Sequence, residues 1–402
     1  MYAVVLVGGF GTRLRPITYT TPKPLLPIAH VPMVERLVRQ LGNGGVTHVV
    51  LALGFKPEPF YSAFPDNTCG GVSMSYAVVL VGGFGTRLRP ITYTTPKPLL
   101  PIAHVPMVER LVRQLGNGGV THVVLALGFK PEPFYSAFPD NTCGGVSMSY
   151  AVESSPLDTA GAIGFAARQA NIDDTFVVAN GDVMCDLDVA ELVAFHRSRG
   201  GMGTISLTTV EDPSQFGIVE IDERGKVERF VEKPSASETT SRYASAGTYV
   251  FEPSALDLMP GNEKLSIERV VFPEMVRRGE LYAMSTRGYW IDAGRPNTYI
   301  DANVHYATLE SCAVQSNDID PTATVVDSVV SQGVSVGAGA RIEHSVLLAG
   351  ASVRAGAQVS DSIVHGSIGA NATLRNVIVA HDGIVADGET IEDRGVPRVE
   401  GA

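Results

Sequence analysis

What the chain lacks narrows what it can be. Its four cysteines, Cys69, Cys143, Cys185 and Cys312, lie far apart with no CxxC pair. Neither a zinc site nor a disulfide framework is therefore expected. No stretch approaches the roughly 18 uninterrupted apolar residues that a spanning helix needs. The N-terminus shows no basic-then-apolar signal pattern, so the expectation is a cytoplasmic protein with no membrane partner. Positive charge is also short, with 31 Lys and Arg against 42 Asp and Glu and a formal net charge of −11. That balance argues against nucleic acid or anionic lipid as a main partner. Apolar residues are plentiful, 45% against 18% charged, enough to bury a core.

A length of 402 residues would ordinarily suggest two or three domains. Here it overstates the count, because Tyr2–Val78 matches Tyr76–Val152 at every position. Solenoid repeats run about 20–50 residues and diverge between copies. A longer unit repeated without a single difference reads instead as a tandem duplication of a gene segment. The ancestral chain is then shorter by one whole unit. Each unit carries six Lys and Arg against three Asp and Glu. A locally basic module in an acidic protein suits a small polyanionic ligand.

The pattern along the second copy alternates strand and helix. Tyr76–Val81 is a β-branched run entering Gly82-Gly83-Phe84-Gly85, and Met107–Leu115 has helical spacing that stops at Gly116-Asn117-Gly118-Gly119. Val123–Leu127 and Thr175–Ala179 read as buried strands, and Gly161–Ala170 and Val189–Arg199 as helices. Strands at Thr204–Val210, Gly217–Ile221, Val227–Val231 and Tyr243–Phe251 look closer to hairpins. The expected fold is α/β, a Rossmann-like mixed-sheet domain. After Tyr306 the composition changes. Aliphatics recur at a spacing of six in Ile319/Val325, Val336/Ile342, Val353/Val359, Ile368/Leu374 and Val385/Ile391, and successive pairs begin about three hexads apart. That is the hexapeptide signature of a short left-handed parallel β-helix. The expected boundaries are 1–75 for a redundant duplicate, 76–306 for the catalytic domain and 307–402 for the β-helix.

The glycine loop carries the first chemical signal. Gly82-Gly83-Phe84-Gly85-Thr86-Arg87-Leu88 follows a strand, so its backbone N–H groups are free to wrap a phosphate. It is neither the dinucleotide G-x-G-x-x-G nor the P-loop. By itself Gly-Gly-x-Gly is also an ordinary turn. Pro90, Pro96-Lys97-Pro98-Leu99-Leu100-Pro101 and Pro106-Met107 add rigidity, and Arg87 and Lys97 add two cations.

With these residues in place, the chain resembles the sugar-1-phosphate nucleotidyltransferases, and mannose-1-phosphate guanylyltransferases most closely. The resemblance runs on through Leu157-Asp158-Thr159-Ala160-Gly161-Ala162, Asn180-Gly181-Asp182-Val183, Phe216-Gly217-Ile218-Val219, Phe230-Val231-Glu232-Lys233-Pro234, Ala246-Gly247-Thr248-Tyr249 and Tyr289-Trp290-Ile291-Asp292-Ala293-Gly294. It implies an enzyme in which a sugar 1-phosphate attacks the α-phosphorus of a nucleoside triphosphate and expels pyrophosphate. Arg87, with Lys97, would neutralise the triphosphate, and Gly82, Gly83, Gly85, Thr86 and Gly128 would lie against the nucleotide. Asp182 and Asp292 would hold Mg²⁺, Lys233 the sugar phosphate, and Glu232, Gly217 and Gly247 the sugar. GTP with mannose 1-phosphate is the expected pair. The alternatives are glucose-1-phosphate thymidylyl or uridylyl transfer, and a catalytically silent sugar-nucleotide-binding subunit. The β-helix would let copies of the chain associate.

Several positions depart from the family pattern. Asp158 replaces a usual glycine and Ser245 a usual asparagine, while Ala293 and Arg295 stand beside the second carboxylate in place of the common Ile and Thr. Only one copy of the loop can stand beside the strand that leads to Asp182. The second runs directly into Glu153 and the remainder of the chain. Using the first would loop out a whole unit, at a closure cost that grows only logarithmically with length. The expectation is that Arg87 and Lys97 work while Arg13 and Lys23 do not.

Overall fold

The computed structural model describes residues 76–396 apart from 83, 84, 129, 130 and 236, together with short strands within 2–73. Gly83, Arg13 and Lys23 lie outside the described residues. The chain gathers into two compact units. One comprises Met1–Gly82, Val112–Asn180 and Leu187–Gly288, and the other Gly83–Leu111, Gly181–Asp186 and Tyr289–Ala402. Segments 83–111 and 181–186 group with the hexapeptide coils.

The first unit is built on a ten-stranded mixed sheet. Tyr76–Leu80, an uninterrupted β-branched and apolar run, lies at its centre, parallel to both His122–Leu127 and Phe176–Asn180. His122–Leu127 is buried at every position, the pattern of a parallel strand covered on both faces. Val146–Val152 continues the parallel half, while Tyr243–Phe251 pairs antiparallel with Phe176–Asn180 and with Gly203–Thr209. Gly217–Ile221 and Val227–Glu232 form the expected hairpin. Helix Val189–Arg199 has the boundaries its sequence predicts. Asp188 caps it by accepting from the Glu191 N–H at 3.1 Å, and Gly200 closes it at φ 68°. A cap of this kind is worth about 1 kcal/mol.

The first copy forms a four-stranded sheet of its own, in which Tyr2–Leu6 runs parallel to His48–Ala52 in register Tyr2↔His48. The second copy repeats that register as Tyr76↔His122. The difference lies on the other edge. Tyr76–Leu80 pairs with Phe176–Asn180, whereas among the described residues Tyr2–Leu6 pairs on one side alone.

In the second unit the hexapeptide coils stack as three parallel five-stranded sheets, a left-handed β-helix. All five expected pairs fall into register. Ile319, Val336, Val353, Ile368 and Val385 stack on one face, and Val325, Ile342, Val359, Leu374 and Ile391 on the next. Each fully buried aliphatic contributes about 1.5–3 kcal/mol. A third ladder, Val330, Leu347, Val364, Val379 and Val396, completes the interior. The coil that begins at Val353 is shorter than its neighbours, and the shortening falls at the corner between Val364 and Ile368.

Candidate functional site

The carboxylate cluster arises from a two-stranded ribbon. Val183–Cys185 pairs antiparallel with Trp290–Asp292 in register Val183↔Asp292, and the Ala293 N–H donates to the Asp182 carbonyl at 3.2 Å. Asp182 and Asp292, far apart in sequence, are thereby set side by side. Lys97 reaches them from the one-turn helix Lys97–Leu99. Its Nζ stands 2.6 Å from Asp182 Oδ2 and 3.7 Å from Asp292 Oδ1, with the lysine side chain only 8% exposed. Asp292 Oδ1 is buried and has no hydrogen-bond partner. Gly294, which was not among the expected site residues, has no room for a side chain: a Cβ would stand 2.6 Å from Asp292 Oδ1 and 2.8 Å from Lys97 Nζ. Two adjacent carboxylates, one with an orphaned oxygen, are the hard donors that a divalent cation takes. Among the described residues no group of three or more His, Cys, Asp or Glu is placed to hold a metal, so such an ion would complete its shell with phosphate or water.

The glycine loop is held by close backbone approach. A Cβ on Gly128 would stand 3.0 Å from the Gly82 carbonyl, and one on Gly82 would stand 3.1 Å from the Gly128 nitrogen. Gly85 has φ +57°, and its carbonyl accepts from Thr92 Oγ1 at 2.8 Å. Thr86 and Arg87 follow on the turn Thr86–Leu88, both exposed. Leu88 beneath them is buried, so this turn presents its polar side chains outward from a fixed apolar anchor.

In the first unit, Glu232 ends its strand opposite Gly217, and Lys233 Nζ lies 3.3 Å from Glu232 Oε1. Lys233 has φ +51° although a proline follows it. A residue before proline prefers extended backbone, so this conformation is strained. Strain of this kind concentrates at functional sites. The Lys233 N–H donates to the Phe216 carbonyl at 3.0 Å, which holds the turn. A side chain on Gly217 would meet Phe230 Cζ at 2.5 Å. Gly247, at φ +80°, sits where the register between Gly203–Thr209 and Tyr243–Phe251 shifts, a bulge in the sheet.

Asp158 takes φ +61°, the left-handed conformation a glycine adopts freely, and its own Oδ1 accepts from the Thr159 N–H at 2.8 Å. The departure thus keeps the backbone path and adds a carboxylate to it. Ser245 Oγ donates to the Tyr249 hydroxyl at 3.3 Å. A further buried carboxylate, Glu153, follows strand Val146–Val152, and its Oε2 accepts from the Leu157 N–H at 2.9 Å. Burial pushes its carboxyl group up, partly offset by that hydrogen bond. The signal that picked out Asp182, an acid directly after an apolar strand, applies equally to Glu153.

Fold and site together describe an α/β protein with a glycine loop, a lysine–dicarboxylate cluster and a hexapeptide β-helix. The chain belongs to the nucleotidyl transferase family, whose model matches residues 76–308 and, in keeping with the duplication, also 2–78. A GlmU-like C-terminal hexapeptide model matches 312–395. The chain is 40% identical over 238 residues to a mannose-1-phosphate guanyltransferase of Debaryomyces hansenii, covering 58% of this chain and 65% of that one. It is 38% identical over 265 residues to a mannose-1-phosphate guanyltransferase of Schizosaccharomyces pombe, covering 62% and 72%. It thus spans a little under two thirds of the first of these relatives. A solved Bacillus anthracis structure assigned to glucose-1-phosphate thymidylyltransferase, in complex with sucrose, superposes with a TM-score of 0.52 at 28% identity, over 58% of this chain and 95% of that one. Members of the family generally work with a divalent metal. Among the described residues no helix is long and apolar enough to cross a membrane.

Proposed function

We propose that the chain is a cytoplasmic, Mg²⁺-dependent mannose-1-phosphate guanylyltransferase, with its active site built from the second copy of the duplicated segment. A phosphate oxygen of mannose 1-phosphate attacks the α-phosphorus of GTP in line. The bond from that phosphorus to the bridging oxygen of the β-phosphate breaks, and GDP-mannose and pyrophosphate leave. Catalysis of such a transfer is mostly positioning and charge neutralisation. The observation that carries the reading is the buried Lys97 ammonium on the Asp182–Asp292 pair, in a chain 40% identical to a protein named for this activity.

Each group then has a task. The Gly82–Gly128 approach lets the nucleotide lie against backbone, and Arg87 and Lys97 neutralise the triphosphate and the departing pyrophosphate. Asp182 and Asp292 would hold Mg²⁺, which would supply further charge neutralisation on the phosphates. Lys233 binds the sugar phosphate and Glu232 the sugar hydroxyls, beside Gly217 and Gly247. Residues 1–75 are redundant to this chemistry. We place self-association on the hexapeptide coils, whose outer faces expose Val326 and Ile384.

The test is a panel of four nucleoside triphosphates against mannose and glucose 1-phosphates, reading pyrophosphate. Release from GTP with mannose 1-phosphate is expected. An inert GTP lane with active dTTP or UTP would reassign the substrate to the thymidylyl or uridylyl alternative. Silence across the panel would favour the regulatory-subunit alternative.

A further inference from the structure

The reaction gives the hexapeptide coils no part in catalysis. Their third face points to one. Side chains along a strand alternate between faces, so each two-residue strand of this sheet sends one side chain inward and one outward. The inward residues form the third ladder of the β-helix interior. The outward ones, Val329, Val346, Ile363 and Ile378, ought to meet water, yet they are 1%, 1%, 0% and 7% exposed. They belong to a separate apolar cluster, which also contains Leu88 and Ile91 of the glycine-loop segment, Leu100 and Ile102 just past Lys97, and Tyr299 and Ile300 of helix Pro296–Leu309. In the fifth coil the outward position is Gly395. There a Cβ would stand 3.0 Å from Pro90 Cδ and 3.7 Å from the Arg89 carbonyl. Four aliphatics followed by a glycine describe a surface shaped to its neighbours, which are helix Pro296–Leu309 at the first coil and, at the last, the loop that carries Arg87.

We propose that this outward ladder is the seat of the catalytic loop, and that Gly395 is a positioning residue for Arg87 and Lys97. The inference rests on the nucleotidyl-transfer reading. The coils then do more than join copies of the chain. Their register fixes the height of segment 85–101, and with it the approach of Lys97 to Asp182. Side chains on the other two outer faces carry no such duty.

Gly395→Leu puts a branched side chain against the Pro90 ring and the Arg89 backbone. A displacement of about 1 Å in a positioned group costs up to roughly a hundredfold in rate, so kcat for pyrophosphate release should fall at least about tenfold. KM for the sugar 1-phosphate should hold, because Lys233 lies in the other compact unit. Amide exchange in segment 85–101 should rise while exchange in the inward ladders stays the same. Gly395→Ala, which asks its neighbour to yield only a few tenths of an ångström, should show the same effects more weakly and guards against simple misfolding. Gln358→Leu, exposed on an outer face away from the loop and beside neither Val326 nor Ile384, should leave turnover and exchange in 85–101 unchanged.

Wild-type turnover and wild-type exchange in both Gly395 variants would overturn the proposal. So would a loss of turnover that tracks dissociation of copies by light scattering with exchange in 85–101 unchanged. If exchange in 85–101 rises in the variants but wild-type protein releases no pyrophosphate from any substrate pair, the seat stands and the nucleotidyl-transfer reading falls.

Discussion

Replacing Lys97 by methionine separates its two roles. With Nζ 2.6 Å from Asp182 Oδ2 and 3.7 Å from Asp292 Oδ1, the ammonium supplies the positive charge that the carboxylates share when no cation is bound. Two unit charges about 4 Å apart interact by roughly 4 kcal/mol at an effective dielectric near 20. The carboxylates are 40% and 39% exposed, so solvent screening removes more than half of that, leaving about 1–2 kcal/mol. This is the margin by which Lys97 competes with an incoming divalent cation, roughly 5- to 30-fold in affinity. Methionine keeps the apolar stem and drops the charge. Lys97→Met should therefore bind Mn²⁺ roughly 5- to 30-fold more tightly, read as loss of the free-ion signal by electron paramagnetic resonance. Pyrophosphate release should fall in the same protein, because the triphosphate has lost a cation. An unchanged or weaker Mn²⁺ affinity would refute the idea that lysine and metal contend for one carboxylate pair.

Deleting residues 2–75 should leave turnover and the substrate profile unchanged and improve recovery of soluble protein, since Tyr76–Leu80 already occupies the strand position beside Phe176–Asn180; loss of activity in soluble deleted protein would assign the first copy a role. Lys233→Met should raise KM for the sugar 1-phosphate and move unfolding free energy by no more than about 0.5 kcal/mol, because the side chain is 59% exposed; a KM rise for the nucleotide instead would displace Lys233 from the sugar phosphate. His122 is buried against Ser149 Oγ at 2.8 Å, and burial pushes its imidazole down to about 3. The unfolded chain takes up that proton near pH 6.5 while the folded one does not, so stability falls as pH drops below about 6.5, by about 2 kcal/mol at pH 5. Urea unfolding of His122→Gln should show a correspondingly smaller loss between pH 7 and pH 5, and a slope equal to wild type would contradict the assignment.

The parts of the fold that repeat or alternate were legible in the sequence, and those that depend on distant pairing were not. Helix Val189–Arg199 was readable from one short segment, and the residues that bound it in the structure, Asp188 and Gly200, are its immediate neighbours in the chain. The five hexapeptide pairs keep a spacing of six, and each lands in register. The third ladder stands five places on from the second, as in Val325 to Val330, and then six or four from the next coil, so a search for sixes passes over it. Its outward neighbours look like ordinary strand aliphatics until the loop that covers them is in view. At the site, Asp182 announces itself by following a strand. Its partnership with Asp292 depends on a ribbon between segments far apart in the chain, which no local pattern encodes. The resemblance to a known family supplied Asp292 where physical reading of the residues alone gave only an acid close to a glycine. Motif position also singled out Lys233, and its strained backbone became visible only in three dimensions.

The central claim is that GTP and mannose 1-phosphate react on the second copy of the duplicated segment. It is tested most directly by pyrophosphate release from that pair with Mg²⁺, measured side by side for wild type, Arg13→Ala and Arg87→Ala. The account predicts release by wild type, the same rate in Arg13→Ala and a marked loss in Arg87→Ala. No release from wild type, or equal losses in the two variants, would contradict it.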